Sequence, residues 1–142
     1  MDKHHGVGII VTDSDKEWFY IQQKDNTYQF PEYRLCYSFF GGAIETGEGE
    51  LGALERELSE ELEPEAAQWI RQVCNKLFDA EITTSRGSYH FTLFEAVLPK
   101  YDLEDLAKLP VREGTCRLVS RKEINKLKFV HNLKVVLDKY LK

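Results

Sequence analysis

The chain has 142 residues, of which 42% are hydrophobic and 30% charged, and its formal net charge is −5 at pH 7. This length predicts a single domain over residues 1–142 with enough apolar side chains to fill a core. The acidic balance argues against general binding to a nucleic-acid polymer, which needs a basic surface. No apolar run approaches a membrane span and the N-terminus lacks a signal-peptide layout, so we expect a cytoplasmic protein with no membrane partner.

The first forty residues alternate between apolar runs and polar turns, a pattern typical of β-strands. We predict strands at 6–11 and 18–22, joined into a hairpin by the polar turn at 13–16. Residues 24–34 are polar and aromatic and contain a proline, which predicts a loop. A third strand at 35–40 then leads into a pair of glycines.

The stretch at 41–64 reads GGAIETGEGELGALERELSEELEP and combines a glycine-rich loop with a helix for which Gly49 is a suitable N-cap. One apolar stripe of this helix should dock on a core, and its members are Leu51, Leu54, Leu58 and Leu62. Beside the stripe lie Glu57, Glu60 and Glu61, whose carboxylates repel one another at helical spacing. A cation among them would relieve that repulsion, and hard cations such as Mg²⁺ prefer oxygen ligands.

The second half of the chain predicts a short helix at 65–73 and then a β-hairpin. The strands of the hairpin are two runs rich in β-branched and aromatic residues, at 77–84 and 89–98. The segment 99–110 is a charged connection with room for one helical turn, and 115–119 is the last predicted strand.

Two helices are predicted to close the chain. Ser120 and Glu123 form a capping-box pattern that opens a short helix. A second helix at 130–141 should bury one side, formed by Leu133, Val136, Leu137 and Tyr140. Together the elements predict an α/β (α+β) fold in which a mixed β-sheet lies between helices.

The order of residues in the glycine loop and its helix resembles the Nudix box of the Nudix (MutT-like) hydrolase family. Gly42 is followed after five residues by Glu48, and after seven more by Arg56-Glu57-Leu58 and then Glu60-Glu61. This resemblance implies a Nudix α/β/α sandwich. Two positions differ from the usual box, since Glu63-Pro64 replaces a glycine and an aliphatic residue, and Phe40 stands where proline is common.

The resemblance implies an enzyme that hydrolyses phosphoanhydride bonds with Mg²⁺, or with Mn²⁺ as the alternative metal. The residues that match the family's metal ligands are Glu57, Glu60, Glu61 and the backbone carbonyl of Gly41. Arg56 resembles the family's orienting arginine, which pairs with a box carboxylate. Glu113 precedes the last strand and resembles a late-loop carboxylate that serves some members as metal ligand or general base.

The implied substrate is a nucleoside diphosphate linked to another group. Nucleoside triphosphates, oxidised nucleotides and nucleotide sugars all stay open, because residues 77–82 lack the proline or tyrosine that marks ADP-ribose and diadenosine polyphosphate hydrolases. Gly42 is expected to contact the substrate. Several aromatic side chains could stack on a base, and from Tyr28, Phe30, Tyr33, Phe78 and Tyr89 we choose Tyr28 and Phe78. His90 and His131 are interpreted as structural.

Two other functions share the implied fold. A nucleotide sensor without catalysis would lack box carboxylates, and all of them are present here. An isomerase of the isopentenyl diphosphate type would use a catalytic cysteine, for which Cys36 is the candidate, although nothing around it indicates an activated thiolate. Homodimers are frequent among related proteins, so a homodimer is also considered.

Overall fold

The computed structural model describes residues 4–142 as a β-sheet with helices on both faces. In this range the strands are β1 (His5–Thr12), β2 (Trp18–Gln23), β3 (Tyr37–Ser38), β4 (Phe40–Ala43), β5 (Cys74–Thr84), β6 (Gly87–Val97) and β7 (Thr115–Ser120). The α-helices are α1 (Glu50–Glu61), α2 (Pro64–Gln72), α3 (Lys100–Ala107), α4 (Arg121–Ile124) and α5 (Lys134–Tyr140). This mixed sheet between helices confirms the predicted α/β fold.

The strand β1 lies at the centre of the sheet, whose path is β3-β2-β1-β6-β5. It pairs in parallel with β6 from His5↔His90 to Thr12↔Val97, while the other ladders of the described residues are antiparallel. Because helices cover both faces, β1 is an apolar run rather than an alternating one, and its residues 6–12 are all buried.

One edge of β1 is shared by two strands, β4 along its first half and β2 along its second half. In the first half, Gly8 lies opposite Gly41. A Cβ added at Gly8 would lie 2.7 Å from Cζ of Phe91, and one added at Gly42 would lie 2.5 Å from Oε1 of Glu57. The missing side chains therefore let an aromatic ring approach one face of the sheet and a carboxylate approach the other. The glycines of the β1 and β4 ladder are Gly6, Gly8, Gly41 and Gly42, and we call these four residues the glycine strip.

The helix α1 packs its apolar stripe on one face of the sheet. The buried members of that stripe are Leu54, Leu58 and Leu62, as predicted. The predicted burial of Leu51 is wrong, because its residue surface is 41% exposed. Ala53 is fully buried and takes the core-facing position of the first turn instead. The last buried residue of α1 is thus a charged one, Glu61.

The helix α5 covers the opposite face of the sheet. Its predicted buried side is confirmed, with Leu133, Val136, Leu137 and Tyr140 all at most 5% exposed. The helix begins at Lys134 rather than at residue 130, because His131 (φ 50°) and Asn132 (φ 60°) adopt the left-handed conformation that a right-handed helix excludes.

Local sequence signals explain how several other elements begin. Gly49 is the N-cap of α1, and Pro64 is the first residue of α2, so the unusual end of the box starts a new helix and leaves Glu61 in the last turn of α1. Ser120 accepts a hydrogen bond of 3.1 Å from the backbone N–H of Glu123. The strand predicted at 35–40 is split into β3 and β4, and the charged connection contains the two-turn helix α3. Across residues 4–142, none of the helices has the length and apolar character needed to cross a membrane.

Candidate active site

Arg56 joins the glycine loop to the carboxylates of α1. Its Nε and Nη2 atoms donate to both oxygens of Glu48 at 2.7 and 3.0 Å, and Nη2 also donates to the carbonyl of Ala43 at 2.9 Å. Its Nη1 atom donates to Glu57 at 3.0 Å and to Glu60 at 3.3 Å. The planar guanidinium has donors enough for all these partners, so one side chain holds the loop and orients two box carboxylates.

This arrangement predicts that Arg56→Lys destabilises the protein, because an ammonium cannot reproduce the two-pronged contact with Glu48. We expect a loss of about 2 kcal/mol in the free energy of unfolding and at least about a tenfold fall in kcat. Urea unfolding and steady-state kinetics measure the two effects. Arg71→Lys is the matched control, since Arg71 is half-exposed and bonds Glu55 on the surface. Equal effects of the two substitutions would contradict this role of Arg56.

Glu61 is a buried carboxylate with an incomplete set of partners. It is 1% exposed, and its Oε1 accepts a hydrogen bond of 2.8 Å from the backbone N–H of Gly41. Its Oε2 accepts no hydrogen bond from the described residues, and Nζ of Lys24 lies 3.9 Å away. Burial raises the pKa of Glu61 to about 8, against the opposing effects of Lys24 and Gly41. Such a site favours a cation close to Oε2.

Glu57 approaches the sheet where Gly42 has no side chain. Its side chain is 14% exposed, and burial raises its pKa although Arg56 acts in the opposite direction. Glu60 is 56% exposed and bonds Arg56 from the solvent side. The three carboxylates of α1 therefore span a range from solvent to core.

Glu113 is brought to the C-terminal end of α1 by backbone contacts. The N–H groups of Arg112 and Glu113 donate to the carbonyl of Glu61 at 2.9 and 3.3 Å. The next residue, Gly114, has φ +65°, and an added Cβ would lie 2.4 Å from the carbonyl of Gln23. This turn therefore requires glycine and fixes the position of Glu113 beside the box.

A cavity of about 570 Å³ opens on the face of the sheet covered by α5. Its wall includes Glu57 and Glu113 together with aromatic residues, which are Tyr28, Phe30, Phe39, Tyr89 and Phe91. Lys24 and Arg86 supply positive charge, since Nζ of Lys24 lies 4.9 Å from the centre of the Tyr28 ring and Cζ of Arg86 lies 4.6 Å from the centre of the Phe30 ring. An apolar cleft of this size with a few charged groups is typical of a small-molecule site.

His131 holds two of the aromatic side chains. The Tyr28 hydroxyl lies 2.8 Å from its Nε2, and the Tyr89 hydroxyl donates to its carbonyl at 2.7 Å. Burial, followed by the charges of Lys24 and Arg86, lowers the pKa of His131. Burial also raises the pKa of Tyr28 to about 12, so both groups are neutral at pH 7 and the hydroxyl can donate to the ring.

The structure brings most of the predicted site residues together. Those on the cavity wall are Tyr28, Gly41, Gly42, Glu57 and Glu113. From α1, Glu61 accepts a hydrogen bond from Gly41, and Arg56 donates to both Glu57 and Glu60. Phe78 does not line the cavity; it lies on β5, where Nζ of Lys139 is 4.4 Å from its ring centre. Sequence reasoning missed Lys24, Arg86 and His131 as cavity residues, because no local pattern indicates which loop residues meet across the fold.

Comparison with known proteins identifies the family. The family model of the NUDIX domain matches residues 2–140. None of the curated proteins matches the sequence.

Several solved structures share the fold at low sequence identity. A MutT protein from Methanosarcina mazei Go1 is 14% identical with a TM-score of 0.64, over 100% of this chain and 99% of that one. The E. coli dihydroneopterin triphosphate pyrophosphohydrolase is 13% identical with a TM-score of 0.60, over 87% and 85%. The NUDIX domain of Shewanella oneidensis NrtR, in complex with ADP ribose, is 12% identical with a TM-score of 0.61, over 100% and 90%. Since the family model covers nearly the whole chain, the protein belongs to the NUDIX family and is a Nudix hydrolase.

Proposed function

We propose that the protein hydrolyses, with Mg²⁺, a diphosphate bond in a nucleoside diphosphate linked to another group. The observation that carries this proposal is that Glu57 and Glu113 share one cavity wall with a set of aromatic side chains. A base can stack on aromatic rings while its diphosphate reaches carboxylates that hold a metal. The NUDIX family acts on nucleotide-derived small molecules, which agrees with this arrangement.

The donor set fits Mg²⁺ as the metal, with Mn²⁺ as the alternative. Glu57, Glu60 and Glu61 with the carbonyl of Gly41 would supply oxygen ligands, which hard divalent cations prefer. The fit is supported by Oε2 of Glu61, a buried oxygen that accepts no hydrogen bond from residues 4–142. A metal bound there would neutralise diphosphate charge and polarise the P–O bond.

Other side chains of the site act on the substrate and on its proton transfer. Arg56 orients Glu57 and Glu60 and takes no part in phosphate contact. Lys24 and Arg86 attract the negatively charged substrate into the cavity. Glu113 accepts the proton of the attacking water, because it reaches the cavity beside Glu57 from an independently fixed turn.

Tyr28 should bind the base by stacking. We expect Tyr28→Leu to raise KM about tenfold and to leave kcat nearly unchanged, because base stacking contributes to binding rather than to the chemical step. Phe78→Leu is the matched control, since Phe78 lies outside the cavity. The assignment of Tyr28 fails if Phe78→Leu raises KM as much as Tyr28→Leu does.

The function is tested by measuring phosphate and pyrophosphate release, with Mg²⁺, across a nucleotide panel. The panel includes canonical and oxidised nucleoside triphosphates, dihydroneopterin triphosphate, ADP-ribose, nucleotide sugars and dinucleoside polyphosphates. Glu60→Gln is run beside the unaltered protein, because Glu60 is exposed and its replacement leaves the core intact. We expect one substrate class to be cleaved by the unaltered protein and at least about a hundredfold more slowly by the variant.

Two results would overturn the proposal, the first from this panel and the second from a separate assay with isopentenyl diphosphate. Tight nucleotide binding with no cleavage of any compound would indicate the sensor function. Diphosphate isomerisation that is lost in Cys36→Ser would indicate the isomerase, although Cys36 is not on the described cavity wall.

A further inference from the structure

A second cluster of metal-ligating side chains lies on the face of the sheet opposite the cavity. His5 on β1, His90 on β6 and Asp79 on β5 each offer a ligand atom, and these atoms all lie within 4.8 Å of one another. His5 and His90 are register partners in the parallel ladder, and their ring centres are 4.6 Å apart. Since neighbouring residues of a strand face opposite sides, Gly6 and Phe91 reach the cavity while His5 and His90 do not.

The hydroxyl of Thr92 lies beneath this cluster and has more close polar neighbours than its one proton can serve. Thr92 is fully buried, and its Oγ1 lies 2.6 Å from both Oδ1 of Asp79 and Oε2 of Glu50, and 2.8 Å from Nε2 of His5. A hydroxyl has one proton, so it can donate to only one of the two carboxylates. The other carboxylate oxygen then faces a hydroxyl oxygen at 2.6 Å without a proton between them, whichever tautomer His5 adopts. A cation beside these oxygens would remove that repulsion.

The imidazole of His90 is already oriented as a metal ligand. Its Nδ1 lies 3.2 Å from Oε1 of Glu81, and its Nε2 lies 3.5 Å from Oδ1 of Asp79. Metal-binding histidines commonly donate one ring N–H to a carboxylate, which leaves the other nitrogen unprotonated and aimed at the metal. Glu81 fills the role of that carboxylate for His90.

We propose that His5, Asp79 and His90 bind a divalent transition-metal ion, Zn²⁺ in the first instance, at a site separate from the box carboxylates. Two imidazoles and a carboxylate suit zinc rather than Mg²⁺, which prefers oxygen ligands alone. Zinc bonds to these atoms are about 2.0–2.2 Å long, so the side chains need to close by roughly 1 Å around the ion. Bound zinc would link β1, β5 and β6 beside the first residue of α1, Glu50.

Replacing Lys76 should raise the affinity for zinc, whereas replacing a ligand should lower it. Its Nζ lies 2.8 Å from Glu50 and 3.6 Å from Asp79, so this cation occupies the edge of the cluster. A positive charge so close to the site weakens the binding of a second cation. Lys76→Met should therefore strengthen Zn²⁺ binding severalfold, and such a gain cannot arise from a variant that has failed to fold.

The experiment is calorimetric titration of tag-free protein with Zn²⁺ in the presence of excess Mg²⁺, which should occupy the box carboxylates if the proposed function is correct. We expect one zinc ion per chain, and a loss of affinity of about a hundredfold or more in His90→Gln and Asp79→Asn. Glu81→Gln should lose about tenfold. His4→Gln is the matched control, because His4 is the neighbouring histidine outside the cluster. The zinc affinity of this variant should equal that of the unaltered protein. Co²⁺ provides a second readout through its visible d–d absorption, which His90→Gln should abolish.

Three results would overturn the proposal. Zinc binding that survives His90→Gln but is lost in Glu61→Gln would assign the ion to the box. Binding lost equally in His4→Gln would assign it to the N-terminus. No binding in the unaltered protein and none in Lys76→Met would leave the cluster as a network of hydrogen bonds and ion pairs.

Discussion

Glu61→Gln should lower kcat by about three orders of magnitude and at the same time raise the stability of the metal-free protein. The amide is isosteric and can still accept the hydrogen bond from Gly41, so the fold should be retained. It cannot act as an anionic metal ligand, and a metal ion contributes several kcal/mol to transition-state stabilisation. The gain in stability arises because burial of Glu61 at neutral pH costs either the uptake of a proton or the desolvation of a charge, and the neutral amide avoids both.

The stability effect has a definite pH dependence. Burial raises the pKa of Glu61 to about 8 in the folded protein, well above the usual range of a glutamate. When the folded-state pKa lies above the unfolded-state pKa, protonated Glu61 contributes its full stabilisation only below the unfolded-state pKa. This contribution is lost as the pH rises through the folded-state pKa of about 8. The unaltered metal-free protein should therefore lose a few kcal/mol across this window, whereas Glu61→Gln should not.

Urea unfolding in a chelating buffer at a series of pH values measures this difference. Glu60→Gln is the control, because Glu60 is exposed and its replacement should lower kcat without changing the pH dependence of stability. The same slope of stability against pH in the unaltered protein and in Glu61→Gln would show that Glu61 is not the group responsible.

Gly41 and Gly42 should respond very differently to alanine, although they are adjacent. An added Cβ at Gly41 would lie 2.0 Å from the carbonyl of Val7, and its φ of +143° disfavours any side chain. Because the carbonyl belongs to the central strand, it cannot move aside, and we expect Gly41→Ala to cost more than about 4 kcal/mol or to prevent folding.

Gly42→Ala should instead preserve the fold and damage catalysis. Its Cβ would lie 2.5 Å from Oε1 of Glu57, which is the far end of a flexible side chain. Glu57 can rotate away at a cost of about 1 kcal/mol. A carboxylate displaced by about 1 Å can lower kcat about a hundredfold.

The two substitutions are compared by urea unfolding and by kcat/KM. Gly52→Ala is the control, because a Cβ there meets nothing within 4 Å and the helix gains about 1 kcal/mol in propensity. The argument would be contradicted by a Gly42→Ala protein with full activity, since Glu57 would then not need its position against the sheet.

Local signals explain why the box and most elements could be predicted. Spacing within one helix is a property of the sequence itself, so Glu57, Glu60 and Glu61 could be assigned to one region of α1 from that spacing alone. Caps such as Gly49 and Ser120 also act within a few residues. The burial of Leu51 was mispredicted because helical periodicity gives the direction of a side chain and not where the core ends.

Long-range pairing explains what the sequence did not reveal. His5 and His90 meet because β1 and β6 are parallel, and a parallel register across 85 residues leaves no local pattern. Tyr28 lies on the cavity wall, where its hydroxyl is 2.8 Å from Nε2 of His131, a residue 103 positions later in the chain. Phe78 lies outside the cavity, near Lys139. These tertiary contacts decide which aromatic residue lines the cavity and which does not.

The glycine strip lies between two parts of the site, the box carboxylates and the aromatic residues of the cavity, and each part comes from different segments of the chain. The box carboxylates come from α1 on one face, and Glu57 reaches the cavity where Gly42 has no side chain. The aromatic residues of the cavity wall lie on the other face and are Tyr28, Phe30, Phe39, Tyr89 and Phe91. Substitutions on the two faces should then have additive effects except at Glu61 and Tyr28, which are coupled because Lys24 lies near both. We therefore expect that changing these aromatic residues alone would alter substrate choice while the proposed hydrolytic residues stay as they are.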